Sequence, residues 1–187
     1  VRAMLEVEAE SLSGEELVRA VLRMKADLLW HGGIGTYVRA AGETDAEVGD
    51  AANDAVRVSA SELRVRVVGE GGNLGFTQAA RVEYAAGGGR IDTDAIDNSG
   101  GVCMSDQEVN LKIALGPLVE AGELAPGERN RLLGELAGDV TEAVLRINRD
   151  QARALSLDQV RSQTRLASFL DLASALDCEP APRLAAT

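Results

Sequence analysis

Polar and apolar positions follow two different rhythms along this chain, and each predicts its own kind of element. Ser13 and Glu16 stand three apart and read as a capping box, opening a helix from Gly14 to about Met24. Ala26-Asp27-Leu28-Leu29-Trp30 reads as a short buried strand running into the glycine cluster Gly32-Gly33-Ile34-Gly35-Thr36. The polar stretch from Ala41 to Val56 predicts loop or short helix. Leu63 to Val68 alternates and is valine-rich, which predicts a strand. It leads into a second cluster, Gly69-Glu70-Gly71-Gly72-Asn73-Leu74-Gly75. Thr77 caps a helix from Gln78 to about Ala86, which Gly87-Gly88-Gly89 ends. Arg90 to Ala95 predicts a third strand, and Asn98 to Val102 a tight turn. Ser105 and Glu108 form another capping box, for a helix from about Asp106 to Leu115. After Gly116-Pro117 the spacing of apolar residues turns helical, from Pro126 to about Arg149 and from Leu157 to Leu176. The order predicts part of a parallel α/β sheet over residues 1–116 and a helical segment over 117–187.

Composition narrows the function. Nineteen basic against thirty acidic residues give a net charge of -11, which repels phosphate backbones and argues against nucleic-acid binding. Two distant cysteines, Cys103 and Cys178, make neither a disulfide framework nor a metal pattern, and His31 is the only histidine, so a histidine-built zinc site is excluded. No apolar run approaches the roughly 20 residues that cross a bilayer, and Val1 to Glu10 lacks the form of a signal peptide. A cytoplasmic protein without a membrane partner is expected, and Val1-Arg2-Ala3-Met4-Leu5 reads as the middle of a longer chain.

The glycine turns hold the candidate chemistry. Gly69, Gly71 and Gly75 lie between a strand and a helix, with Asp92 and Asp94 roughly 20 residues on, the outline of a dinucleotide fingerprint with one residue too many. Two readings stay open there: a pyrophosphate cradle, or a turn that requires positive φ. Ser105 is an N-cap, a ligand-facing hydroxyl, or both. His31 has no partner in sequence and reads as a hydrogen-bonded or surface histidine, and Cys103 as a small packed side chain.

Three stretches together resemble the large-subunit bacterial NAD-dependent glutamate dehydrogenases: Asp27 to Val38 (DLLWHGGIGTYV), Val67 to Gln78 (VVGEGGNLGFTQ), and Arg90 to Val102 (RIDTDAIDNSGGV) continuing through Ser105, Asp106, Glu108, Val109 and Asn110. In the wider superfamily the corresponding strands end in Glu-Gly-Ala-Asn and Asn-Ala-Gly-Gly-Val. Here Gly72 and Ser99 replace the alanines, Cys103-Met104 precedes Ser105, and Gln107 stands where histidine is expected.

The resemblance implies the second half of a Rossmann-like domain with a C-terminal helical tail. It makes the fingerprint at Gly69 a decoy, because the family's pyrophosphate loop lies earlier in the chain. It implies NAD binding by Gly72, Asn73, Asn98 and Gly100, and contact of Val102 and Ser105 with L-glutamate or 2-oxoglutarate. It implies oxidative deamination of glutamate, in a homo-oligomer of the longer protein. Lys25 and Lys112 are the only lysines, and neither lies in a family-like catalytic context. The catalytic residues are therefore expected upstream of Val1 and the chain alone is expected to be inactive. A stand-alone nucleotide-binding module and a non-catalytic assembly segment remain as alternatives.

Overall fold

A computed structural model describes residues 2–176; Cys178 and the end of the helical segment, 177–187, lie outside them. The chain divides into two compact units between Ser99 and Gly100. No helix among the described residues is long and apolar enough to cross a membrane.

The first unit is α/β. Helices α1 (Arg2–Leu5) and α2 (Gly14–Leu22) precede strand β1 (Ala26–His31). The predicted capping box closes α2: the Ser13 hydroxyl accepts from the Glu16 N–H, and the Glu16 carboxylate accepts from the Ser13 N–H. Strand β2 (Val38–Arg39), the short helix α3 (Asp45–Val48) and strand β3 (Val58–Ser59) follow, then β4 (Val65–Glu70), α4 (Gln78–Ala86), β5 (Arg90–Ile91) and α5 (Asp94–Asp97). The three longer-range strands form a parallel sheet in the order β1-β4-β5, with Leu29 opposite Val68 and His31 opposite Glu70. β2 and β3 pair in parallel beside it. Phe76, Tyr84, Val38, Val58 and Val68 make the core, and the Tyr84 hydroxyl donates to the Val65 carbonyl at 2.9 Å.

Two expectations fail here. β1 is not buried: it is a sheet edge, with Leu28 54% and Trp30 60% exposed. The third strand stops at Ile91, and Asp94 to Asp97 wind into α5 behind Thr93. Aspartates favour the first turn of a helix, where the unbonded N–H groups lie, over a strand.

The second unit is helical: α6 (Ser99–Glu120), α7 (Pro126–Thr164) and α8 (Leu166–Ala175). The predicted turn at Asn98–Val102 and the helix start at Asp106 are both overturned, since α6 already begins at Ser99. Pro117 lies inside α6 rather than ending it. The stop comes at Gly122, left-handed at φ 73°, where the Gly122 N–H reaches the Val119 carbonyl and the Glu123 N–H the Leu118 carbonyl, a Schellman closure. α7 runs on past Arg149 because Asp150 to Ser156 contains no glycine or proline.

Candidate functional site

The carboxyl ends of β1, β4 and β5 carry the first unit's candidate residues, the end at which open parallel sheets bind ligands. A cavity of about 690 Å³, lined by Leu63, Val65, Glu83, Tyr84 and Arg90, lies toward the amino ends of β4 and β5 instead.

The turn after β4 is built on absent side chains. A Cβ at Gly69 would come 2.7 Å from the Trp30 ring, one at Gly71 2.5 Å from it, and one at Gly75 2.6 Å from the His31 ring. At Gly72 a Cβ would collide with the Gly33 carbonyl, and the Gly72 N–H is engaged by the His31 carbonyl at 2.9 Å. The turn does hold a positive φ, though not at a glycine. The glycines hold no positive φ; that conformation falls on Leu74, at φ 58°. They let one turn close against another, with the Trp30 ring and the Gly33 carbonyl standing where side chains would otherwise be.

Carboxylates lock the turn from below. Glu70 is fully buried and accepts from Arg81 Nε at 2.6 Å and Nη2 at 2.9 Å, and from the Phe76 N–H at 3.2 Å. Those bonds from Glu70, with the nearby Asp94 and Asp97 charges, hold the Arg81 guanidinium protonated above its ordinary range. Arg81 also meets Asp94 at 3.1 Å. Asp94 accepts the Leu74 N–H at 2.8 Å, and Asp97 the Glu70 N–H at 2.9 Å. Burial, and secondarily the Asp97 charge, raises the nearby Asp92 carboxyl.

This framework presents two carboxamides together: Asn98 Nδ2 donates to Asn73 Oδ1 at 2.5 Å. Asn98 is the C-terminal cap of α5, not part of a turn. Asn73 is exposed and Asn98 partly so. Gly100, in the first turn of α6, has open space where a Cβ would stand.

The chain matches the model of a family described as bacterial NAD-glutamate dehydrogenase, catalytic domain, over residues 1–158. It belongs to that family. It is 49% identical over 177 residues to an NAD-specific glutamate dehydrogenase of Pseudomonas aeruginosa, covering 95% of this chain and 11% of that relative. An enzyme of the same name from Halomonas elongata is 48% identical over the same shares, and one from Mycobacterium tuberculosis is 50% identical over 81% of this chain and 10% of its own length. The chain thus spans about a tenth of the length of these relatives.

Set beside the family resemblance, Asn73 and Asn98 come together although 25 residues apart in sequence. In the second unit, Val102 and Ser105 lie three apart on α6, both exposed. Ser105 is the seventh residue of that helix and caps nothing, so it is not the N-cap that its spacing from Glu108 predicts. His31 is neither a surface residue nor hydrogen-bonded through its ring: it is 8% exposed, its ring lies 5.2 Å from that of Tyr37, and neither ring nitrogen finds a partner among the described residues. Burial lowers its pKa, partly opposed by the Glu70 charge. Asp94, Asp97 and Arg81 are the site-supporting residues that sequence reading missed. The signal for Asp94 is its place four residues before Asn98, one helical turn away.

Proposed function

We propose that this chain is part of an NAD-dependent glutamate dehydrogenase, and that its Asn73–Asn98 pair holds the nicotinamide end of NAD. The whole protein would convert L-glutamate, NAD and water to 2-oxoglutarate, ammonia and NADH. The observation that carries the reading is the meeting of two carboxamides at the carboxyl ends of parallel strands, in a chain about half identical to enzymes of that name. The fit is chemical. Each carboxamide has both donor and acceptor, which a nicotinamide carboxamide and a ribose hydroxyl both require. The open space at Gly100 admits a group close to the backbone. Bound NAD would supply the hydride acceptor; the residues here would orient it. Gly72 would serve by letting the turn close. Val102 and Ser105 are proposed to contact glutamate, the hydroxyl donating to its distal carboxylate.

The parallel β1-β4-β5 sheet is read as the second half of a Rossmann-like domain, its remaining strands lying in the rest of the protein and adding along the open edge of β1. A stand-alone nucleotide module built on the Gly69 turn is disfavoured by the Trp30 ring packed over Gly69 and Gly71.

Asn98→Ala in the whole protein tests the assignment. Loss of the amide pair should cost about 1–3 kcal/mol of NAD use, read as a higher KM for NAD with the melting temperature little altered. A collapse in melting temperature with unchanged activity per folded molecule would make Asn98 a structural cap only.

A further inference from the structure

Asp94 is tied to both asparagines by different atoms. Its Oδ2 accepts the N–H of Leu74, the residue after Asn73, at 2.8 Å. Its backbone carbonyl accepts the N–H of Asn98 at 2.7 Å. Its Oδ1 faces Arg81 Nη2 at 3.1 Å and the Ala95 N–H at 3.0 Å. Leu74 is held at φ 58°, a conformation that side chains resist and that persists only where neighbours enforce it. The bond from its N–H to Asp94 is such a constraint. Arg81 does not depend on Asp94, because two bonds join it to the buried Glu70.

We propose that Asp94 is a positioning residue for NAD, which fixes Asn73 through the Leu74 N–H and Asn98 through its own backbone carbonyl, so that the two carboxamides meet at one spacing. The proposal rests on the reading of Asn73 and Asn98 as cofactor ligands. Asp94 itself touches neither carboxamide with its side chain; it acts through the backbone on each side.

Two substitutions in the whole dehydrogenase separate geometry from charge. Asp94→Asn keeps one carbonyl acceptor for the Leu74 N–H, removes the charge, and sets an amide NH2 against Arg81 Nη2 and the Ala95 N–H where Oδ1 now accepts. Asp94→Glu keeps the charge and moves the acceptor by one methylene. Expected is a KM for NAD within about twofold of wild type for Asp94→Asn and roughly tenfold higher for Asp94→Glu, the factor that one lost hydrogen bond commonly brings. The KM for glutamate should stay near wild type in both, and the melting temperature near wild type in Asp94→Glu but lower in Asp94→Asn, where Arg81 and the Ala95 N–H lose their acceptor. The opposite order of the two KM values, or a lowered melting temperature of Asp94→Glu with no change in its KM for NAD, overturns the proposal. Asn73→Ala, alone and combined with Asp94→Glu, isolates the underlying reading. A raised KM for NAD that the second change does not worsen supports both. A raised KM with an independent further loss means that the Asp94 side chain does not act through Asn73 and overturns the proposal, while an unchanged KM in Asn73→Ala alone removes the cofactor reading itself.

Discussion

His31 shows what one side chain contributes when the fold withholds water from it. It sits at the carboxyl end of β1 with both ring nitrogens unpartnered among the described residues. Burial disfavours the imidazolium, so the folded state binds a proton less readily than the unfolded chain does. The unfolded value is near 6.5. The sign follows: the stability that neutral His31 provides is fully present above that pH and is lost as pH falls from there through the lowered folded value. The denaturation midpoint of the chain should therefore drop between about pH 7 and pH 5, and His31→Phe should flatten that part of the profile. An unchanged slope in the variant would assign the drop to carboxylates. The sequence placed His31 beside glycines but not what those glycines are for. Only pairing of β1 with β4 brings His31 next to Glu70 and sets Gly75 against its ring.

At the scale of elements, local signals were legible and long-range ones were not. The capping box at Ser13 and the Thr77 cap appear where their local chemistry requires, and the valine-rich stretch is a strand, though it runs Val65–Glu70 rather than from Leu63 and Val67 is exposed while Val68 is buried. The same chemistry at Ser105 and Glu108 misleads, because α6 has already begun at Ser99 and a hydroxyl inside a helix finds no open N–H to cap. No residue pattern marks the break at Arg165, where neither glycine nor proline is present. The link between β4 and α4 shows why packing outranks pattern: Glu70 ends a strand, Arg81 lies on a helix eleven residues later, and they make a bidentate pair. Glu70 has no exposed surface, so Arg81→Ala would strand a buried carboxylate. The expected loss is about 3–5 kcal/mol, read by urea denaturation of the chain. Replacing both partners together, Glu70→Leu with Arg81→Met, should recover a large part of it, because the fully buried carboxylate goes with its partner and the charge left, Asp94, keeps the Leu74 and Ala95 N–H groups. If the double variant proved no more stable than Arg81→Ala, the bonds of Glu70 to the Phe76 N–H and of Arg81 to Asp94 would be the dominant contributors.

The whole molecule sets the limit on what these residues do by themselves. Orientation of a cofactor and movement of a proton are separate tasks, and the second requires a titratable group within hydrogen-bond reach of the reacting atoms. A lysine is one such group, and the chain has two. Lys25 precedes β1, at the strand end opposite the Asn73 turn, and Lys112 on α6 pairs with Glu108 at 2.8 Å. Within the first unit, then, no lysine stands beside the asparagine pair. The relatives extend over about nine times the length matched here, which leaves ample room elsewhere for the proton-transfer groups. Purified chain given glutamate and NAD should consequently form no NADH above the rate without protein, followed by absorbance, while the whole protein under the same conditions turns over. Titration of the chain with NAD completes the test. Absence of turnover with measurable NAD binding would assign orientation to this chain and proton transfer to the remainder. Turnover by the chain alone would mean that Lys25, Lys112 or one of the carboxylates around Asp92 accepts the proton, and the division of labour argued here would be wrong.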